Sequence, residues 1–373
     1  LLYDLPMHYF QVSVLLLAIS DTIANTGGYL RRWNPRFNIL GEEKSILGVL
    51  GFAITAYIIF RQMLPGSGQA YLLYILLAIF VSINTEIISF KGSDNLSVPF
   101  GIALFLFLTH EQAVNSMLFI AVIPLMGLIA WILSWRGILT RYGSVLAYIL
   151  GVYFIAVMGF SWIIPVAFFF LSSVLFTRLN GIVNKKPSGT NRRNIWQVLA
   201  NISVATVCSA LYLNKGNEIW IYSYITLVGA VTADTWASEL GPIFNRKCLS
   251  LSDGKIHNAG ISGGISFAGT LAALAGAFIV SLIGGVLLLG GMDWKLVFIL
   301  SLSGFLASFI DSLLGAFVEP HLDEMKYFQK RRIPAGSKVN PGIHGVDRLT
   351  PNDLVNLLAS MTAPVFFLVI SKL

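Results

Sequence analysis

The sequence predicts an all-α, polytopic integral membrane protein of about twelve transmembrane helices in two related helical units. Three observations carry that expectation. Of 373 residues, 56% are hydrophobic and only 12% are charged, a balance that suits lipid rather than water as solvent. Apolar stretches of spanning length recur along the whole chain. The cations segregate, because 21 of the 25 Lys and Arg residues fall on one side once successive loops are assigned to alternate faces.

A hydrocarbon layer ~30 Å thick calls for ~20 apolar residues per helix. Spans are expected over 8–30, 45–63, 69–90, 96–109, 114–134, 143–158, 160–177, 195–213, 219–240, 262–290, 296–318 and 352–372, the fourth being short enough to be re-entrant. The loops after odd-numbered spans then hold the cations, from Arg31 and Arg32 through Arg192 and Arg193 to Arg348, and the other side keeps Arg61, Lys215, Lys295 and Lys372. The positive-inside rule puts the odd loops in the cytoplasm and both chain ends outside. The net charge of +7 is accordingly a topological excess, and no nucleic-acid partner is expected. No cleavable signal is recognisable in the stretch that opens at Leu1. Cys208 and Cys248 lack CxxC or Cys/His spacing and read as packing or loop thiols, and the five histidines form no metal spacing. The polar, basic loop from Gly181 to Asn194 is the best internal boundary, dividing the chain into 1–180 and 181–373.

Acids within spans are costly and functional by default. Asp21, Glu86, Asp234, Glu239 and Asp311 all lie on odd-numbered spans near the end placed in the cytoplasm. Asp234 and Asp311 lie about seven residues from that end, or ~10 Å at ~1.5 Å per residue. Helical spacing aligns Asp21 with Asn25 and Gly28, Asp234 with Ser238 and Gly241, and Asp311 with Ser308 and Gly315. Close helix packing through small residues explains the glycines, but not the acids.

Even-numbered spans start on that same side, so their unpaired N–H groups and positive dipole ends suit phosphate. Lys44, Ser45 and Gly48 open the second span, and Gly263, Gly264, Ser266 and Thr270 open the tenth. The twelfth opens with Asn352 and Asp353, with Asn352, Asn356 and Ser360 on one face. Carboxylates beside such helix starts suit a nucleotide–Mg²⁺ complex, since Mg²⁺ takes a few carboxylates plus phosphate and water oxygens. The order of acid-bearing helix, basic loop and Gly/Ser-rich helix start occurs in both halves, as SDTIANTGG with EEKSILGVLG and as TADTWASELG with NAGISGGISFAGT.

These residues also resemble known families. From Asp21 to Pro99 the chain resembles the CTP-dependent polyprenol kinases, which act on phytol and dolichol. The likeness rests on Asp21-x-x-Ala24-x-x-x-Gly28, Lys44-Ser45-x-x-Gly48-x-x-Gly51, Glu86 and Asp94-Asn95-Leu-x-Val-Pro99, with Ser20 departing from the usual Gly. From Asn191 onward it resembles the phytyl-phosphate kinase family. There the carrying motifs are Gln197-Val-Leu-Ala-Asn201, Thr232-Ala-Asp234-Thr-Trp236-Ala-Ser-Glu239, Gly263-Gly264-x-Ser266-x-x-Gly269-Thr270, Asp311-Ser-Leu-Leu-Gly315 and Asn352-Asp353-x-Val-Asn356. Pro341-Gly-Ile-His344-Gly-Val-Asp347-Arg348 is partly similar to the CDP-diacylglycerol synthase signature.

The resemblance implies a membrane isoprenoid kinase that uses CTP and Mg²⁺ to phosphorylate a lipid-soluble prenyl alcohol, a prenyl monophosphate, or both. Its catalytic acids would be Asp234, Asp311, Asp353 and Asp21. Metal ligands would be Asp234, Glu239, Asp311 and Glu86. Nucleotide and phosphate would meet Gly263, Gly264, Ser266, Thr270, Asn201, Asn352 and Asn356, with Lys44, Ser45, Gly48, Asp94 and Asn95 in the first half. Twelve spans and intramembrane acids also suit a proton-coupled secondary transporter, though acids gathered towards one side favour the enzyme over a midplane transport site, and a cytidylyltransferase forming CDP-lipids is a third reading. Nothing in the residues fixes the isoprenoid chain length, CTP against ATP, or the oligomeric state.

Overall fold

The computed structural model describes residues 7–28, 35–39, 42–64, 66–88, 99, 102–103, 105–106, 116–184, 192–318 and 349–372. The chain forms two compact units, Leu1–Leu125 and Met126–Leu373. In the first, α1 (Met7–Leu15) continues through a π-helical stretch, Leu16–Asp21, into α2 (Thr22–Gly28). A hairpin of β1 (Arg36–Ile39) and β2 (Glu42–Ser45) leads to α3 (Ile46–Met63) and α4 (Gln69–Ile88). Ser45 starts α3 because its hydroxyl accepts from Gly48 N at 3.0 Å, which satisfies one of the helix's orphan donors.

The division falls inside α5 (Ser116–Trp135). The second unit continues with α6 (Arg141–Val152), a π-helical stretch at Tyr153–Met158, α7 (Phe160–Val183), α8 (Ile195–Lys215) and α9 (Ile219–Phe244). Three short strands follow, β3 (Lys247–Ser250), β4 (Ile256–Asn258) and β5 (Gly264–Ile265). Then come α10 (Phe267–Leu288), α11 (Trp294–Phe317), α12 (Pro351–Ser360) and α13 (Thr362–Ile370). Asn194 and Gln197 form a capping box at the start of α8, and Gly216 closes that helix at φ +61°, a left-handed cap that costs glycine little.

Among the described residues, seven helical stretches are long and apolar enough to cross a membrane: Met7–Gly27, Ile46–Met63, Phe160–Val183, Ile195–Lys215, Phe267–Leu288, Trp294–Phe317 and Pro351–Ile370. Twelve were expected. Most other expected spans are helical but shorter, interrupted or more polar, and 96–109 lies largely outside the described residues. The helix α9 has the length, but Ser, Thr and acidic residues dilute its apolar content. It needs lipid less than its neighbours do, since 14 of its 26 residues are buried against protein. The expectation of purely helical structure is corrected by two small sheets, of order β1-β2 and β4-β3-β5. They sit in polar loops, where Asp253-Gly254 supplies a hairpin turn with Gly254 at φ +66°. The boundary expected at 180/181 does not coincide with the division of compact units at 125/126.

Lipid exposure inverts the usual helix pattern. Leu171, Leu175 and Ile182 of α7 are exposed, whereas Ser173 and Asn180 of the same helix are buried. A hydrocarbon solvent offers polar groups no partner, so they turn toward the other helices. The core of the second unit joins Phe154, Trp162, Phe169, Tyr224, Ile225, Leu300 and Phe367. Above it α9 and α11 approach through small residues. A β-carbon placed on Gly304 would lie 3.1 Å from Ala230 N and 3.3 Å from Thr226 O. Backbone cannot yield as a flexible side chain does. Gly304→Val is expected to cost about 1–3 kcal/mol, read as a lowered melting temperature of the purified protein in detergent.

Candidate functional site

Four helices converge on one small polar recess within the second unit. Asn201 comes from α8, Asp234 from α9, Ser308 and Asp311 from α11, and Asn356 and Ser360 from α12. The apolar part of the wall is small: Ala230 and Ala307 line the recess and pack with Ala363 of α13. Small side chains let α9 and α11 approach closely enough for their acids to meet. Asp311 is a side-chain hydrogen-bond partner of Asp234. The Asn356 amide, with its nitrogen turned inward, donates to Asp311 Oδ1 at 3.0 Å and to Asn352 O at 3.1 Å.

Two carboxyl groups this close cannot both hold a bare negative charge at low cost, so a proton or a cation must lie between them. The donor set is of the kind Mg²⁺ takes: the carboxylates of Asp234 and Asp311 and the amide oxygen of Asn201 are hard oxygen ligands. A third expected ligand is elsewhere engaged. Both oxygens of Glu239 accept hydrogen bonds from α7, Oε1 from Thr177 Oγ1 at 2.7 Å and Oε2 from Asn180 Nδ2 at 2.7 Å. Asn184 extends this network by donating to Asn180 Oδ1 at 2.6 Å. Among the described residues no three His, Cys, Asp or Glu side chains are grouped to hold a metal ion. The expected set of Asp234, Glu239, Asp311 and Glu86 therefore does not assemble as one cluster. Position along α9 explains this, since a five-residue step carries Glu239 well around the helix from Asp234.

The other expected residues take structural positions. Asp353 is buried and closes the capping box of α12, its Oδ2 accepting from Thr350 N and Thr350 Oγ1 at 2.7 Å each. Its Oδ1 has no partner. Asn352 is exposed and reaches the site through its backbone oxygen. Ser266 caps α10, accepting from Gly269 N at 3.1 Å, and Thr270 Oγ1 donates to Ser266 O at 3.0 Å. A β-carbon on Gly263, which has φ +70°, would fall 2.8 Å from Ala316 N, and one on Gly264 would fall 2.7 Å from Cys248 Sγ. These glycines are spent on close packing of strand against helix. None of Gly263, Gly264, Ser266 and Thr270 lines the recess.

In the first unit Asp21 Oδ2 accepts from Asn25 Nδ2 at 3.1 Å, as the helical spacing predicts. Lys44 Nζ pairs with Glu86 Oε1 at 2.7 Å, both side chains being largely buried. The expected phosphate-binding lysine and the expected metal-binding acid thus satisfy each other. Gly48 faces Ala24 O, which a β-carbon would approach to 2.7 Å, so it lets α2 and α3 touch. Asp94 and Asn95 lie outside the described residues.

Sequence reasoning missed the polar stripe of α7. Ser172 accepts from Trp236 Nε1 at 3.0 Å, Ser173 accepts from Arg193 Nη1 at 2.5 Å, and Thr177 and Asn180 hold Glu239. Their i, i+4, i+7 spacing was the available signal.

The family model described as an integral membrane protein, DUF92, matches residues 124–364, which contain every residue lining the recess. An uncharacterized membrane protein of Methanocaldococcus jannaschii is 32% identical over 183 residues, covering 48% of this chain and 75% of that protein. An uncharacterized membrane protein of a Synechocystis species is 26% identical over 199 residues, covering 49% of this chain and 73% of that protein. No solved structure matches.

Two substitutions probe this geometry. Asn180→Leu strands Glu239 Oε2 in a buried place and is expected to cost about 1–3 kcal/mol in thermal unfolding. Asp311→Asn replaces an acid pair with an acid–amide pair. It is expected to stabilise the protein in EDTA by about 1–2 kcal/mol, seen as a raised melting temperature.

Proposed function

The chain belongs to the DUF92 family of integral membrane proteins, and on that premise we propose that it is a multi-pass membrane kinase that phosphorylates an isoprenoid head group. The acceptor is a prenyl alcohol or prenyl monophosphate of the phytol type, and the donor is CTP with Mg²⁺. One observation carries the reading: Asp234 and Asp311 share a recess with Asn201 and Asn356, inside a bundle whose outer face is apolar. The motif resemblance to phytyl-phosphate kinases runs through these same four residues.

The recess is a narrow cleft between α8, α9, α11 and α12, so in this reading the base and the isoprenoid tail stay outside it and only the reacting groups meet the acids. Ala230, Ala307 and Ala363 pack together beside the recess, and in this reading the tail lies sideways in lipid.

Asp234 and Asp311 would hold Mg²⁺, which when bound would neutralise charge on the transferring phosphoryl group. When the acceptor is an alcohol, the same acid pair takes the hydroxyl proton as the phosphoryl bond forms and CDP departs. Asn356 fixes Asp311 through its amide, and Asn201 presents a second amide to the phosphate oxygens. The basic loops, with the recess open to the cytoplasm, would meet the nucleotide where it is abundant.

The shared proton of an acid pair also fits a proton-coupled transporter, and the measurements separate the two. Purified protein given γ-labelled CTP, Mg²⁺ and phytol or phytyl phosphate is expected to place label in the lipid and to release CDP. Asp234→Asn should reduce that rate by about 10²–10⁴. CMP and pyrophosphate as products would indicate a cytidylyltransferase instead. Absence of lipid label, together with proton-driven uptake into liposomes that Asp311→Asn abolishes, would replace the kinase with a transporter.

A further inference from the structure

The small sheet between α9 and α10 has two unlike faces. Along β3, Cys248 and Ser250 are buried while Lys247 and Leu249 are exposed. Leu249 stands opposite Ile256 of β4 on one side and opposite Ile265 of β5 on the other. Directly opposed residues in a sheet share a face. An apolar row one residue deep and three strands wide therefore runs Ile256, Leu249, Ile265, with Ile256 70% and Leu249 48% exposed. Lys247, opposite Asn258, lies on the same face, and Lys255 directly precedes Ile256.

The height of this face is set by the chain. Ile265 is two residues from Phe267, the first residue of the spanning helix α10, which is at most ~7 Å of backbone. Phe244 and Phe267, at the adjoining ends of α9 and α10, are 73% and 76% exposed. The sheet is anchored to protein through the residue before β5: a β-carbon on Gly263 would run into Ala316 Cβ of α11. A sheet held at that level, apolar outward and flanked by lysines, matches the boundary between acyl chains and head groups. Lysine stems can lie along the apolar layer while their charges reach phosphate.

Charge decides what kind of head group. Arg246, Lys247 and Lys255 lie within the segment, and none is ion-paired among the described residues. The segment's acid, Asp253, is engaged by His257 at 2.8 Å. We propose that the outer face of the β3–β5 sheet is a docking surface for anionic lipid, with Ile256, Leu249 and Ile265 against the acyl boundary and Lys247 and Lys255 on the lipid phosphates. The surface is separate from the recess and stands whether or not the kinase reading does.

The test uses the full chain in nanodiscs, with Ile256→Cys carrying a bimane label. Cys208 and Cys248 are both 5% exposed, so the parent protein serves as the unlabelled control. The discs contain phosphatidylcholine and phosphatidylglycerol, with bromines on the acyl chains of one lipid or the other. Bromine on phosphatidylglycerol is expected to quench bimane more strongly than bromine on phosphatidylcholine at matched amounts. Lys247→Gln and Lys255→Gln should each weaken that preference roughly fivefold. A label at Asn258→Cys, on the same face, should repeat the result, and one at His257→Cys, on the opposite face, should be quenched less. Equal quenching by the two lipids overturns the proposal, as does no quenching by either. Quenching replaced by bimane self-association in discs holding two copies would assign the face to a second copy of the chain and likewise overturn it.

Discussion

Hydrocarbon cannot solvate a carboxylate, and this constraint organises the second unit. A hydroxyl on a spanning helix can turn back to its own backbone, as Ser301 and Ser303 do, but a charged group needs partners on other segments. Asp234 finds Asp311, Glu239 finds Thr177 and Asn180, and Arg193 finds Ser173. The helices are thus tied together by polar contacts at one level and by close apolar packing elsewhere. Where small residues such as Ala230, Gly304 and Ala307 bring backbones together, polar groups on the same helices are carried into the same space.

The two kinds of polar cluster differ in how well their charges are satisfied. Glu239 has a donor for each oxygen and serves to join α7 to α9. Asp234 and Asp311 have each other, which is an incomplete solution for two acids unless a proton or a cation joins them. The same contrast appears in the first unit, where Lys44 completes Glu86 and leaves that acid with a structural part.

The membrane boundary poses a second problem, answered by the sheet between α9 and α10. The chain must turn from one helix to the next at a level where one side is greasy and the other charged. Alternation along β3 divides Lys247 and Leu249 from Cys248 and Ser250, so that one strand serves both sides. Gly263 lets this sheet settle against the end of α11, the helix that bears Asp311, and Gly264 makes room for Cys248 of β3.

Much of this was legible in the residues. Composition and hydropathy established a multi-pass membrane protein, since burying so many apolar side chains in water-facing form is not feasible. Helical spacing put Asp21 beside Asn25, and the motifs around Asn201, Asp234, Asp311 and Asn356 named four of the six polar residues that line the recess. The cap signature at Thr350-Pro351-Asn352-Asp353 was also present, but it was read as chemistry when its aspartate closes a helix end. Glycine and serine at the start of α10 were open to the same misreading, because a glycine that admits a ligand and one that admits a neighbouring helix are identical in sequence. Only the tertiary structure decided between them. Which atoms fill the space beside a glycine, and which partner a buried acid obtains, depend on helices distant in the chain, and local periodicity carries no information about those distances.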